Sequence, residues 1–289
     1  MSNLAGYVDF HIHAIGIEEL VSKNPNLLRC IKDVFYLRTR PQPLTVLIKQ
    51  MEQANVEKGI LYSIDAKRVH NCEMPGNDLI YELVKEHQDL FMGIGSIDPL
   101  SENALSELEK LYSKYEFLGV FLSPAYQEFN PLDSRLFKVY ELLEDSRMLL
   151  VFHTGLPWNN KLPMKWSNPL IVDDIARKYN KLIIVLTHMG WPWLDDLYAV
   201  MFRNRNVYAI TSGVYTGSPF EHMRTILVEG YRKRVTERFL SERLLFGSEF
   251  PRMEIWKMVD AIERLEIAND VKMNILRNNA LRLIRSLGR

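Results

Sequence analysis

Apolar residues in this chain fall in short runs separated by amphipathic segments. The runs are 7–12, 58–63, 91–97, 118–122, 149–153, 182–187, 207–210 and 244–247, and most are rich in Val, Ile, Leu and Phe. Apolar residues on both alternating faces mark strands of a parallel sheet that is covered on both sides. Between them, 43–56 places Leu44, Leu47, Ile48 and Met51 on one helical stripe. Likewise 134–146 aligns Leu136, Val139, Tyr140 and Leu143, with Asp133 or Ser134 as the N-cap. Residues 270–287 read as a last helix with Leu276, Leu283 and Leu287 on its apolar face and Gly288 as the stop. Strands and helices that alternate without a break predict an α/β fold, a closed (β/α)8 TIM barrel. The rival, a doubly wound open sheet, usually carries a Gly-rich turn after its first strand, and none follows "YVDFHIH".

The 289 residues suit one such barrel, which typically needs about 250. No linker, repeat or low-complexity tract interrupts them, so 1–289 is expected to be a single domain. Two connections are long, 14–42 and 64–76. Both leave the C-terminal ends of strands, where loops of that length serve as lids or substrate-binding segments.

Charge changes the picture by exclusion. Lys plus Arg and Asp plus Glu balance at 36 each, which argues against nucleic acid as the partner. A small-molecule substrate is expected instead, with a homodimer left open. The start "MSNLAGYVDF" lacks a basic, apolar leader, and no run reaches the ~18 residues of a membrane span. Cys30 and Cys72 are far apart and in no paired spacing, so they read as ordinary reduced thiols of a cytoplasmic protein.

The chemistry is concentrated at strand ends. His11 and His13 close the first run, His153 the fifth and His188 the sixth, which uses four of the seven histidines. Glu249 follows the eighth run. Barrel closure brings all strand ends to one rim, so imidazoles and a carboxylate distant in sequence converge as metal donors with an open position. His11 and His13 share one strand face with Asp9, which is placed to orient a ligand. His70, His87 and His222 read as surface residues, although the loop of His70 is long enough to fold over the site. Substrate contacts are expected from Trp158, Trp191, Arg252 and Tyr126, with Trp193, Arg38 and Arg40 nearby; aromatic walls with an arginine suit a small ring or a carboxylate.

"DFHIH", "GIGSIDP", "GVFLSPAYQEFNPLD", "LLVFHTG", "LIIVLTHMGW", "RLLFGSEFP" and "NNALRLI" resemble the amidohydrolase-related proteins. That branch of the amidohydrolase superfamily includes aminocarboxymuconate semialdehyde decarboxylase and the resorcylate-type decarboxylases. The resemblance runs over nearly the whole chain in the family's order. It implies one divalent metal ion, zinc first and manganese or another ion as alternatives, on His11, His13, His153 and Glu249. It implies His188 as the catalytic histidine, with Glu249 as a second catalytic group. Two departures stand out. Glu249 occupies the place of the family's usual Asp, and Phe121 stands where relatives with "GVKLSP" carry a lysine able to bridge two metals. The related nuclease branch generally has a Glu on the fourth strand, and "GVFLSP" has none.

An enzyme is therefore expected: a metal-dependent hydrolase that attacks a small amide, ester or lactone through a metal-activated water. The alternative is non-oxidative decarboxylation of a small aromatic or unsaturated acid, a lyase reaction on the same ligands. A barrel that binds metal or ligand without turnover is the third reading, kept open by Glu249.

Overall fold

The computed structural model describes residues 6–22, 24, 26–72 and 74–288. Eight strands follow in order: β1 Tyr7–His13, β2 Val56–Tyr62, β3 Phe91–Ile94, β4 Gly119–Leu122, β5 Leu149–Phe152, β6 Ile184–Leu186, β7 Val207–Ile210 and β8 Leu244–Leu245. Every neighbouring pair is parallel. Two ladders, β1 to β3 and β4 to β8, are joined by lighter seams. At the first, Gly95 N donates to Gly119 O (3.1 Å) and Phe121 N to Gly95 O (2.7 Å). At the second, Phe10 N donates to Phe246 O (2.8 Å), Glu249 N to His11 O (2.9 Å) and His13 N to Phe250 O (2.9 Å). The expected (β/α)8 barrel is closed.

Alternate strand residues feed two cores. Phe121, Val151, Val185 and Ile210 belong to one that runs down the barrel. Val120, Leu122, Leu150 and Ile184 belong to the other, which they share with the helices through Leu47, Leu108, Tyr140 and Leu197. The helices form where the stripes predict them: Leu44–Gln53 buries Leu44, Leu47 and Met51, while Ile48 stays half-buried. Asp133 is the N-cap that accepts from Arg135 N (3.0 Å) ahead of Phe137–Asp145. Several strands are shorter than their apolar runs. β8 ends at Leu245 because Phe246 N turns away to Ile275 O (2.9 Å), which frees 246–250 to shape the rim.

The cysteines correct an expectation. Cys30 and Cys72 are not separate reduced thiols; they form a disulfide with their Cα atoms 5.6 Å apart. The bond ties the 14–42 connection to the 64–76 connection, and Arg29 Nη2 reinforces it by donating to Asn71 O (2.8 Å). Sequence spacing concealed the pairing because both connections fold over the same rim. The pairing also removes the argument from cysteine usage to a reducing compartment. Among the described residues, no helix is long and apolar enough to cross a membrane.

Candidate active site

The rim residues converge as expected. The rings of His11 and His13 lie 4.6 Å apart, those of His11 and His188 5.4 Å, and those of His153 and His188 4.9 Å. Glu249 Oε2 is 3.8 Å from His188 Nδ1. His188 and Glu249 adopt φ of 58° and 61°, a region that costs a non-glycine residue about 1 kcal/mol or more. Both turns aim a side chain back across the barrel mouth, which a regular strand exit would not do.

Burial dominates the electrostatics. It pushes the His11 and His153 imidazoles well below their ordinary range, and His188 to about 3. It raises the Glu249 carboxyl to about 7, although Arg252 and the Trp158 indole pull the other way. Glu249 Oε1 lies 3.2 Å from Arg252 Nε and accepts from Trp158 Nε1 at 3.2 Å. The methylene that distinguishes Glu from Asp is what gives this oxygen its reach.

A metal needs neutral imidazoles and unpartnered donor atoms. His11 Nε2, His153 Nδ1 and Glu249 Oε2 are all buried without a hydrogen-bond partner. Such orphans are costly unless something binds them, so the donor set fits a divalent ion in its chemistry. Among the described residues, however, no three His, Cys, Asp or Glu donors already stand closed around one point. Glu249 explains part of this, since one of its oxygens is drawn to Arg252 and Trp158.

Asp9 acts on the backbone of the ligand-bearing strands. Its Oδ1 accepts from the amides of His11 (3.0 Å) and Ser248 (2.9 Å), so it fixes the backbones of β1 and the β8 exit. The His11 ring is steered by Ser212, whose Oγ is 2.8 Å from Nδ1. The same serine engages His188 Nδ1 through both Oγ and the carbonyl oxygen, each at 3.2 Å. Ser212 and Tyr62, whose ring sits 4.7 Å from His11, were not singled out in the sequence. Tyr62 ends the second strand as His13 ends the first, and that position was the available signal.

A small inner cavity of about 40 Å³ opens at these residues. His13, His153, His188, Glu249, Tyr126, Trp158 and Arg252 line it, as does Phe121. Tyr126 stacks on Phe35 at 4.9 Å and 10°. Trp191 does not reach the cavity. It stacks behind Tyr215 (4.7 Å), which in turn stacks on Trp158 (4.9 Å), so Trp191 supports the wall rather than forming it. His222 is not a surface residue: it is buried beside Trp191, with Nδ1 3.1 Å from Thr216 Oγ1. His70 Nε2 is 2.9 Å from Tyr126 O and so braces the wall from outside.

Residues 42–285 match the amidohydrolase family. The chain belongs to that family. It is thereby an enzyme of the amidohydrolase superfamily, whose reactions include hydrolysis and carbon–carbon cleavage. The match begins beyond β1, so His11 and His13 rest on the geometry above. No curated protein matches the chain. Among solved structures it is similar to an uncharacterised TIM-barrel protein from Bordetella bronchiseptica, at 22% identity over 98% of this chain and 99% of that one, with a TM-score of 0.78. It is also similar to 5-carboxyvanillate decarboxylase from Sphingomonas paucimobilis (19%, 97% and 99% covered, TM-score 0.66). A third is a dihydroxybenzoic acid decarboxylase from Polaromonas, solved with manganese and 2-nitroresorcinol (17%, 98% of each chain, TM-score 0.64).

The buried imidazoles of this amidohydrolase make its metal-free form acid-sensitive. His11, His13, His153, His188 and His222 have lowered folded-state pKa values, so the unfolded chain binds more protons below 6.5. Their contribution is present above that value and is lost as the pH falls. Asp9 (raised from 3.8 to about 6) and Glu249 (from 4.5 to about 7) act in the opposite sense. Five imidazoles against two carboxyls leave a net slope of at most about 4 kcal/mol per pH unit between roughly 4.5 and 6. The Tm of chelator-treated protein is expected to fall from pH 7 to pH 5. A flat or rising Tm over that range would show that these rings are not held neutral.

Proposed function

We propose that the chain is a metal-dependent decarboxylase of a small aromatic or unsaturated carboxylic acid. The observation that carries this reading is the cavity itself: a slot walled by Phe35, Phe121, Tyr126 and Trp158, with His188, Glu249 and Arg252 at its rim. Flat apolar walls with few convergent polar groups suit a planar ring bearing a carboxylate. The decarboxylase relatives, one of them holding manganese, support the same choice.

His11, His13, His153 and Glu249 are the residues that would hold one divalent ion, zinc or manganese. Phe121 offers no donor for a second. The ion, when bound, would orient the acid's carboxylate and a neighbouring hydroxyl and lower the pKa of that hydroxyl, which eases removal of its proton. Arg252 places a guanidinium at the cavity wall, where it steers the acid and balances Glu249. The Tyr126 and Phe35 stack keeps the ring from tilting. His188 moves the proton. Its Nδ1–H donates to the Ser212 carbonyl, which leaves Nε2 with the lone pair. Nε2 takes a proton from the ring hydroxyl and returns it to the carbon that has lost carbon dioxide, so the proton count closes. Ser212 holds both His11 and His188, coupling the donor set to the proton carrier.

Hydrolysis is the second reading, favoured by one observation: a buried carboxyl raised to about 7 at Glu249 suits a general base. The two separate cleanly in an assay. Metal-loaded protein is offered hydroxylated benzoic acids and unsaturated diacids beside a panel of lactones and amides. Carbon dioxide released without ring opening is the expected result. Lactone or amide cleavage with no carbon dioxide would assign the site to hydrolysis.

A further inference from the structure

Through Leu37, Trp158, Glu249 and Arg252 the inner cavity shares a neck with an outer basin of about 790 Å³. The basin differs sharply in character. Lys32, Arg38 and Arg40 line it, all exposed, beside Tyr36 and Thr39. Its one carboxylate is Glu249, already engaged by Arg252. Among the described residues no carboxylate pairs with Lys32, Arg38 or Arg40. In a chain whose charges balance overall, three unpaired cations around one concavity give a local positive field at this neck.

We propose that the outer basin binds an oxyanion, carboxylate or phosphate, carried at the far end of the substrate. The substrate class is then a bipartite molecule: a flat reactive ring in the inner slot and an anionic tail among Lys32, Arg38 and Arg40. This rests on the reading that the inner cavity takes the ring. Guanidinium forks match the planar oxygens of carboxylate and the tetrahedral oxygens of phosphate, and charged hydrogen bonds there are stronger than neutral ones. Position adds to the argument. Arg38 and Arg40 follow Leu37, which lines the neck, so an anion held by them lies on the way in or projects outward from the slot. The connection that carries all three cations is fastened by the Cys30–Cys72 disulfide, which limits how far this basic wall can swing from the neck.

The test uses full-length protein loaded with metal and three probe series: ω-phenylalkyl phosphates, ω-phenylalkanoic acids and ω-phenylalkyl alcohols of increasing chain length. Affinities are measured by calorimetry at low salt. At the best length, an anionic probe is expected to bind at least about tenfold tighter than its alcohol. That advantage is expected to disappear in the triple variant Lys32→Gln, Arg38→Gln, Arg40→Gln, while alcohol affinity and melting temperature hold. The tighter of the two anions identifies the tail. Alcohols and anions that bind alike at every length, no binding of any probe, or an advantage retained in the triple variant would each overturn the proposal. Carbon dioxide release from small untailed acids is followed separately. A tail advantage without such release would retire the decarboxylase reading and keep the basin.

Discussion

Replacing Glu249 with glutamine is expected to lower turnover by about a thousandfold or more and to release the metal on dialysis, without unfolding the protein. The amide keeps the carbonyl oxygen that faces Arg252 and Trp158 but removes the charge that a divalent ion needs. Loss of a group that acts as ligand or proton acceptor typically costs between about a hundredfold and ten-thousandfold. The stability side runs the other way. Burial makes the Glu249 carboxylate costly, as its rise to about 7 indicates. At pH 8 the metal-free Glu249→Gln protein is therefore expected to melt at or above the wild-type temperature. Glu249→Asp should keep the metal while losing the reach to Arg252 Nε and Trp158 Nε1 that the longer side chain has. Wild-type metal content and rate in Glu249→Gln would place this residue outside the donor set.

Gly213→Ala is expected to reduce turnover at least about a hundredfold while leaving the barrel folded. Gly213 has φ of 89°, and a Cβ there would come within 2.9 Å of His188 Nδ1, 3.1 Å of Tyr215 Cε2 and 3.2 Å of Glu249 Oε2. One methyl group would thus displace the proposed proton carrier, a proposed metal donor and the aromatic support together. A shift of about 1 Å in such groups is enough for that loss. Gly230→Ala is the control. Its φ of 62° is also strained for alanine, but nothing lies within 4 Å of the added atom. It should lose stability without losing rate. Equal activity losses in both variants would attribute the Gly213 effect to backbone strain rather than to crowding.

Much of this site was legible in the chain before its fold was known. His11, His13, His153, His188 and Glu249 end apolar runs, and one topological inference, barrel closure, is enough to gather them. Trp158, Tyr126 and Arg252 could be placed near the same rim by their distance from a strand end. What stayed hidden depends on contacts across the barrel. Ser212 is an ordinary polar residue after β7 until closure sets it against both His11 and His188. Tyr215 and Trp191 could not be ranked as wall or support, because periodicity does not say which aromatic faces the slot. The Cys30–Cys72 bond needs two long loops to meet, and loop conformations carry no periodic signal. Asp9 shows the limit of strand alternation: the register of β1 shifts between Asp9 and Ile12, and the backbone amides of His11 and Ser248 claim its oxygen. His222 failed for a related reason. A histidine on a helix reads as surface until the Trp191 and Tyr215 rings cover it.

The central claim is that His11, His13, His153 and Glu249 hold one divalent ion. It is tested most directly by elemental analysis of chelator-stripped protein after titration with zinc or manganese at pH 8 and gel filtration. The account predicts one equivalent per wild-type chain, and none above background in a His11→Ala, His153→Ala variant that melts cooperatively. Two retained equivalents, no retained metal in the wild type, or an unchanged equivalent in that variant would contradict it.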